Sequence, residues 1–363
     1  MRNKVGVFPG KFSPPHRGHI EAILKCSCQC EKLYVVVSHN ETLDPGLYEG
    51  TPTKPISFKQ KLKWLSQELS ELEHIKIVGL NETGIPVYPY GWEQWSLLLN
   101  KTIGEPFDVI FGGEAEYSEE GYSKYFPGVK YEVFPKVQYP ISATKIRENP
   151  YKHWEYILGT AREHFVKRVL ITGTESCGKT TLAKMLAKVF FTSWAREEGR
   201  YYSTKYFGGN EKVFEPEDFF NIGWEQRQIE DYAIRTANKI VFFDTDAIVT
   251  QYYCHLYTGE YNKKIETLID PDRYDLVLFL KPDVPWVADG FRWKSNDDER
   301  WLLHKDLLQM YLDRGFGSRI VEIGGDYNDR FSSAMQVSSQ LIPSSVLTKT
   351  TGNGNDPLPA VSF

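Results

Sequence analysis

Short apolar runs alternate with stretches of helical character along this chain, and the alternation starts twice. Val5-Gly6-Val7-Phe8 reads as a first strand and Leu33-Tyr34-Val35-Val36-Val37 as a second, with helical spacing over residues 19–25 between them. A further strand-like run, Phe107-Asp108-Val109-Ile110-Phe111, ends in Gly112-Gly113. The pattern restarts at residues 167–172, which lead into a glycine-rich loop and a helical stretch over 180–189. Residues 240–244 and 274–280 are later strand-like runs. Apolar strands alternating with helices are the mark of parallel sheets covered on their faces. Two restarts therefore predict two doubly wound α/β domains. The junction is expected in the aromatic, helical stretch 151–165, giving domains over 1–160 and 161–338. From Ser339 onward the chain is rich in Ser, Thr, Pro and Gly and loses periodicity, so 339–363 is expected to be a disordered tail.

Composition narrows the picture. A chain of 363 residues has room for two domains, and 25% charged with 41% hydrophobic residues is the balance of a folded protein. The formal charge of -5 argues against a nucleic-acid binder but not against nucleotides, which a few local amides and cations can hold. Cys26, Cys28 and Cys30 alternate without a second cluster, so buried thiols are expected rather than zinc or a disulfide framework. No stretch approaches the roughly twenty apolar residues of a membrane span, so the cytoplasm is the expected compartment.

The first strand ends in Gly10-Lys11-Phe12-Ser13-Pro14-Pro15-His16-Arg17-Gly18-His19. Two histidines flanking a glycine fall where a loop becomes a helix, and free amides with a positive dipole end suit that place to phosphate. Imidazoles there can stabilise charge on a transferring phosphoryl group. Alone, such a pair also reads as capping histidines. A second signal, Ile141-Ser142-Ala143-Thr144-Lys145-Ile146-Arg147, closes the same domain: Ser142 can cap a helix and bring Thr144, Lys145 and Arg147 near its first turn.

Together GKFSPPHRGH and ISATKIR resemble the (H/T)xGH and ISxTxxR signatures of the nucleotidyltransferase superfamily, which implies a Rossmann-like domain. By that resemblance His16 and His19 serve catalysis and hold the ATP phosphates together with Ser142, Thr144 and Arg147, assisted by Lys11. Gly10, Phe12 and Gly112 complete the ATP site. The signatures fix adenylyl transfer better than the acceptor. The stretch Gly91-Trp92-Glu93-Gln94-Trp95-Ser96 narrows it, because an indole face suits a planar, cationic nicotinamide ring. The segment is similar to that of nicotinamide-mononucleotide (NMN) adenylyltransferases, which implies NMN binding by Trp92 or Trp95.

Gly173-Thr174-Glu175-Ser176-Cys177-Gly178-Lys179-Thr180-Thr181 matches GxxxxGK[ST] between a predicted strand and a predicted helix. Its amides would cradle phosphates, Lys179 would reach the β/γ oxygens, and Thr180 would ligate Mg²⁺. Cys177 offers a backbone amide and no catalytic thiol. Asp244 ends an apolar run where an acid would bind Mg²⁺ or accept a hydroxyl proton, and Asp246 follows. Glu197-Glu198-Gly199-Arg200 stands where nucleoside kinases place substrate contacts. Asp289, Arg292 and Arg300 lie in a polar stretch that reads as a lid. Asp244 and Glu197 both stand as candidates for the catalytic base.

This half resembles the ribosylnicotinamide kinase domain of the NadR proteins, and GWEQWS, ISATKIR, GTESCGKTT, EEGR, FFDTDAI and VADGFR stand in the family's order across nearly the whole chain. The resemblance implies a bifunctional enzyme that phosphorylates ribosylnicotinamide and adenylylates the product to NAD. ATP is its co-substrate and Mg²⁺ its cofactor; its partners are small molecules, not nucleic acid or membrane, with room for a homo-oligomer. The first strand starts at residue five, so the helix-turn-helix repressor module of the enteric members is not expected. Tyr201 replaces the acid the family often carries there. A nucleotide-sensing regulator, or a kinase for another nucleoside, is the alternative reading.

Overall fold

In the computed structural model, residues 3–87, 90–113, 121–134, 138–139, 141–285 and 297–342 are described. The chain divides into two units, Met1–Phe165 and Val166–Phe363.

In the first unit β1 (Asn3–Gly10), α1 (Arg17–Ser27) and β2 (Cys30–His39) form the opening crossover. Next come α2 (Phe58–Glu68), β3 (Ile75–Asn81), α3 (Trp92–Ile103) and β4 (Val109–Gly112). The short helix α4 (Ser123–Tyr125), β5 (Lys130–Val133) and α5 (Ala143–Glu148) complete it. Among the described residues the sheet has five parallel strands in the order β3-β2-β1-β4-β5. The run at 35–37 shows why it is apolar throughout. Successive strand side chains point to opposite faces, and Val35 and Val37 join one buried cluster while Val36 joins the other. The chain order reverses at β1, whose neighbours are β2 and β4, and ligands of such sheets gather beyond the strand ends at that point.

The second unit begins with β6 (Lys167–Thr172), α6 (Lys179–Val189), the two-residue β7 (Trp194–Ala195) and α7 (Glu198–Phe207). The long helix α8 (Pro216–Thr236), β8 (Ile240–Asp244), α9 (Ala247–Thr258) and α10 (Lys263–Glu266) follow. Last are β9 (Leu276–Leu280), α11 (Asp297–Asp313), β10 (Ile320–Ile323) and α12 (Tyr327–Ser339). Again five parallel strands are described, in the order β10-β9-β6-β8-β7. Every residue of β8 and β9 is buried, as expected of central strands covered on both faces.

The packed part of the fold runs past the expected start of the tail. Ser339 ends α12 and Ile342 is buried, because the apolar residues after the helix still find the core. The rest of that expected tail, 343–363, lies outside the described residues. Among the described residues no helix is long and apolar enough to cross a membrane.

Candidate functional site

Each unit presents a site at the loop that follows its central strand. In the first, His16 is the N-cap of α1: its Nδ1 accepts from the His19 backbone N–H at 3.3 Å, which starts the helix two residues before the run legible in sequence. The two imidazoles stack, with ring centroids 3.6 Å apart, and the Phe12 ring meets His19 edge-on at 4.9 Å. Burial lowers His16 to about 4, and burial with the neighbouring His16 holds His19 well below the usual histidine range. Both are therefore neutral near pH 7. His19 Nδ1 is buried without a hydrogen-bond partner, an orphan that invites an acceptor such as a phosphate oxygen. Gly18 has no room for a side chain, since a Cβ would stand 2.9 Å from the Tyr139 carbonyl oxygen and 3.2 Å from His16 Nδ1.

The two signatures meet. Ser142 caps α5 by accepting from the Lys145 N–H at 3.3 Å. Arg147 is buried; it donates to the carbonyl oxygens of Leu47 at 2.8 Å and Ser13 at 2.5 Å, and to Thr144 Oγ1 at 3.1 Å. Its guanidinium thus ties the histidine loop to α5, and in this structure its three nitrogens face protein acceptors. Phe12 is buried at a positive φ of 49°, with its ring beneath Gly10 and His19. That places the side chain in the core, so the expected contact with ATP is left to its backbone. Gly112 ends β4, where a Cβ would overlap the Tyr131 hydroxyl; this packing accounts for the glycine by itself.

Trp92 and Trp95 stand in the first turn of α3 and line a cleft of about 420 Å³ together with Gly10, Lys11, Asn40 and Glu82. Lys11 Nζ lies 3.0 Å from Asp44 Oδ1, and that carboxylate also takes His39 Nδ1 at 2.9 Å and the fully buried Lys61 at 3.3 Å. Burial would raise Asp44, but Lys11 and Lys61 outweigh it and keep the carboxyl below its usual range. Burial raises Glu82, to which Trp95 donates. The two tryptophans meet edge to face at 5.6 Å, and Trp95 leans on the buried cluster around Leu99 and Phe126. Asp44, Lys61 and Glu82 belong to no motif; only the fold gathers them.

In the second unit the GxxxxGK[ST] loop wraps the N-terminus of α6. Its backbone needs left-handed positions: Gly173 has φ 137°, Ser176 φ 58° and Gly178 φ 83°, and a Cβ at Gly173 would meet the Leu280 carbonyl oxygen at 2.7 Å. Lys179 is buried and donates to the Thr174 carbonyl oxygen at 2.9 Å, inside its own loop. Thr180 Oγ1 donates to Asp244 Oδ2 at 2.5 Å, whereas Asp244 Oδ1 is buried without a partner. Burial and then the Glu197 carboxylate raise Asp244 to about 7, against the pull of Lys179, Thr180 and Arg200. Glu175, Ser176, Gly178 and Thr181 share one cavity of about 170 Å³ with Glu197 and Arg200. Phe214, Phe219, Tyr253 and Tyr257 give the cavity an aromatic wall, with Glu211 accepting from the Tyr257 hydroxyl at 2.9 Å. The Cys177 thiol is buried and turned into the loop, 3.5 Å from the Glu175 carbonyl oxygen.

Three residues expected at the substrate or lid, Asp246, Glu198 and Arg300, are not among those that line this cavity. Asp246 caps α9: its Oδ1 accepts from the Ile248 and Val249 N–H groups at 3.2 Å each and from the Tyr311 hydroxyl at 2.6 Å. Glu198 is buried, bonded to Arg196 at 3.3 Å, while its N–H donates to Gln226 at 2.9 Å. Arg300 is buried in α11 and donates to the Val284 carbonyl oxygen at 2.9 Å. Asp289 and Arg292 lie outside the described residues. Sequence reading missed the aromatic wall and Arg330, a buried arginine of α12 that donates to the Cys177 carbonyl oxygen at 2.9 Å. A bulky apolar residue or a lone arginine carries no spacing that marks a site.

Residues 168–330 match the AAA domain family. The trifunctional NAD biosynthesis/regulator protein NadR of Escherichia coli (strain K12) is 34% identical over 351 residues, covering 94% of this chain and 84% of that protein. A crystal structure of NadR protein in complex with NR is similar at TM-score 0.78 and 27% identity, covering 98% of both chains. Another, of NadR protein in complex with NAD and AMP-PNP, has the same TM-score and identity and covers 99% of both. The chain belongs to the NadR family.

Proposed function

We propose that the chain converts ribosylnicotinamide to NAD with two molecules of ATP: the second unit phosphorylates the nucleoside to NMN, and the first transfers an adenylyl group from ATP to NMN, releasing pyrophosphate. The observation that carries this reading is the wall of the second cavity. Phe214, Phe219, Tyr253 and Tyr257 line the same cavity as the phosphate loop, together with Glu197 and Glu211. Aromatic faces beside fixed negative charge suit a cationic pyridine nucleoside better than a neutral pyrimidine one.

In the second unit the loop amides and Lys179 hold the ATP phosphates. Asp244 and Thr180 are the residues that would hold Mg²⁺: their oxygens are already 2.5 Å apart, Asp244 Oδ1 is an orphaned acceptor, and such a cation takes few protein ligands beside phosphates and water. When bound, the ion neutralises charge on the β- and γ-phosphates. With Asp244 engaged at the loop, Glu197 serves as the base. It takes the proton of the ribose 5′-hydroxyl as that oxygen bonds to the γ-phosphorus and the bond to the β-bridging oxygen breaks, leaving ADP.

In the first unit an NMN phosphate oxygen attacks the α-phosphorus of ATP in line, and pyrophosphate leaves. His19 and His16 donate hydrogen bonds to the polyphosphate from the start of α1, and Lys11 stands at the mouth of the cleft. Trp92 stacks on the nicotinamide ring. Purified protein incubated with ATP, Mg²⁺ and ribosylnicotinamide should form NMN and then NAD by chromatography, with uridine and cytidine poor acceptors. Phosphorylation of uridine at an equal rate would overturn the substrate assignment; NMN that never becomes NAD would overturn the first unit's.

A further inference from the structure

The loop that holds the kinase phosphates is braced from behind by a residue outside its motif. Arg330 stands in the first turns of α12 and is 2% exposed. Its NH1 donates to the Cys177 carbonyl oxygen at 2.9 Å, Nε to the Gly325 carbonyl oxygen at 2.9 Å, and NH2 to the Lys281 carbonyl oxygen at 2.8 Å and to Asp283 Oδ1. Asp283 Oδ2 in turn accepts from the Gly325 N–H at 2.8 Å. Every nitrogen of the fork is thus committed to protein, and three of the four acceptors are backbone carbonyls.

The Cys177 carbonyl matters because of what shares its peptide plane. In a trans peptide the C=O and the following N–H point in opposite directions. Holding the Cys177 oxygen on the outer side, toward Arg330, turns the Gly178 N–H to the inner side, where the loop cradles phosphate. Gly178 sits at φ 83° with no side chain, so nothing of its own restrains that plane. Lys179 ties the loop at Thr174 and Arg330 ties it at Cys177, and the two donors approach from different elements.

We propose that Arg330 is a positioning residue for phosphoryl transfer, fixing the amide of Gly178 toward the phosphates of ATP by clamping the Cys177 carbonyl to α12 and to the end of β9. The inference rests on the kinase reading of the second unit. It implies that the fork matters and not the charge alone, since lysine cannot serve four acceptors at once.

The full chain and its Arg330→Lys variant are compared for kinase kcat and for KM of ATP and of ribosylnicotinamide, with NMN adenylylation measured in the same samples. The expected result is a rise in kinase KM for ATP of about tenfold, the scale of one lost charge-assisted hydrogen bond. KM for ribosylnicotinamide and the adenylylation rate should stay within about twofold. An unchanged KM for ATP in the folded variant overturns the inference, as does a parallel loss of both activities. Asp283→Asn keeps Arg330 in place and loosens its ion pair, so it covers the case in which the lysine variant fails to fold; it should raise KM for ATP in the same direction by a smaller factor. A wild-type protein that phosphorylates no ribosylnicotinamide would sink the functional reading instead. The brace is then read from calorimetric MgATP affinity in a His19→Ala background, where Arg330→Lys should weaken binding and equal affinity overturns it.

Discussion

The hydroxyl of Thr180 donates to one carboxylate oxygen of Asp244 at 2.5 Å while the other oxygen is buried with no partner. Loop and strand end are thereby joined into one half-satisfied site. Asp244→Asn keeps the shape but removes the charge. Kinase turnover should fall by about 10²–10⁴, the range for losing a positioned charged group, with NMN adenylylation unchanged. Retention of kinase activity at high Mg²⁺ would show that another acid holds the ion.

His19→Ala should remove the orphaned donor of the first site and lower NAD synthesis from NMN by about 10²–10³, leaving phosphorylation of ribosylnicotinamide intact. His19→Gln keeps a donor and should recover part of the rate. Undiminished NAD synthesis in the alanine variant would place the reaction elsewhere.

Trp92 and Trp95 should separate by measurement. Trp95 leans on the core and donates to Glu82, so Trp95→Ala should lower the thermal midpoint, with a loss of about 3–5 kcal/mol if the site cannot collapse. Trp92→Ala should instead raise KM for NMN by about tenfold, the scale of a desolvated cation–π contact, with KM for ATP unmoved. The reverse pattern would assign the nicotinamide ring to Trp95.

Protonation gives two slopes of opposite sign. His16 is lowered by burial from 6.5 to about 4, so between those values the unfolded chain binds a proton the folded one lacks. Stability from this group is full above pH 6.5 and falls toward pH 4, by an amount on the order of 3 kcal/mol. Urea unfolding across that window should show the loss in wild type and a flatter profile in His16→Asn. Asp246 is raised by burial from 3.8 to about 7, so its contribution instead declines as pH rises between those values.

Asp246→Asn separates a capping role from a substrate role. Asparagine can still cap α9 and accept from Tyr311. The variant should keep KM for ribosylnicotinamide within about twofold and lose the Asp246 slope. A large rise in that KM would return the residue to the substrate site.

Motifs with fixed spacing were legible because each sits where one strand turns into one helix: His16 to His19 after β1, and Gly173 to Thr181 after β6. Strands with buried faces on both sides, such as β8, show as unbroken apolar runs. β3 did not, because its Lys76 and Asn81 are exposed, and β7 is two residues long. The burial of Arg300 was not legible, since a buried arginine in a polar stretch looks like a solvated one until its acceptor, the Val284 carbonyl, is known. The brace at Arg330 spans 153 residues of sequence, and no local pattern reports a contact at that separation.

The bond from Lys179 to the Thr174 carbonyl has a thermodynamic corollary. With its strongest donor already satisfied internally, the loop meets a nucleotide through an exchange of acceptors, a neutral carbonyl for an anionic oxygen. The net gain per ligand is then the difference between two hydrogen bonds, and it is greatest for an acceptor bearing formal charge. Such a loop discriminates by ligand charge before any base or sugar is read, and a nucleoside lacking phosphates offers only neutral acceptors in exchange for the carbonyl.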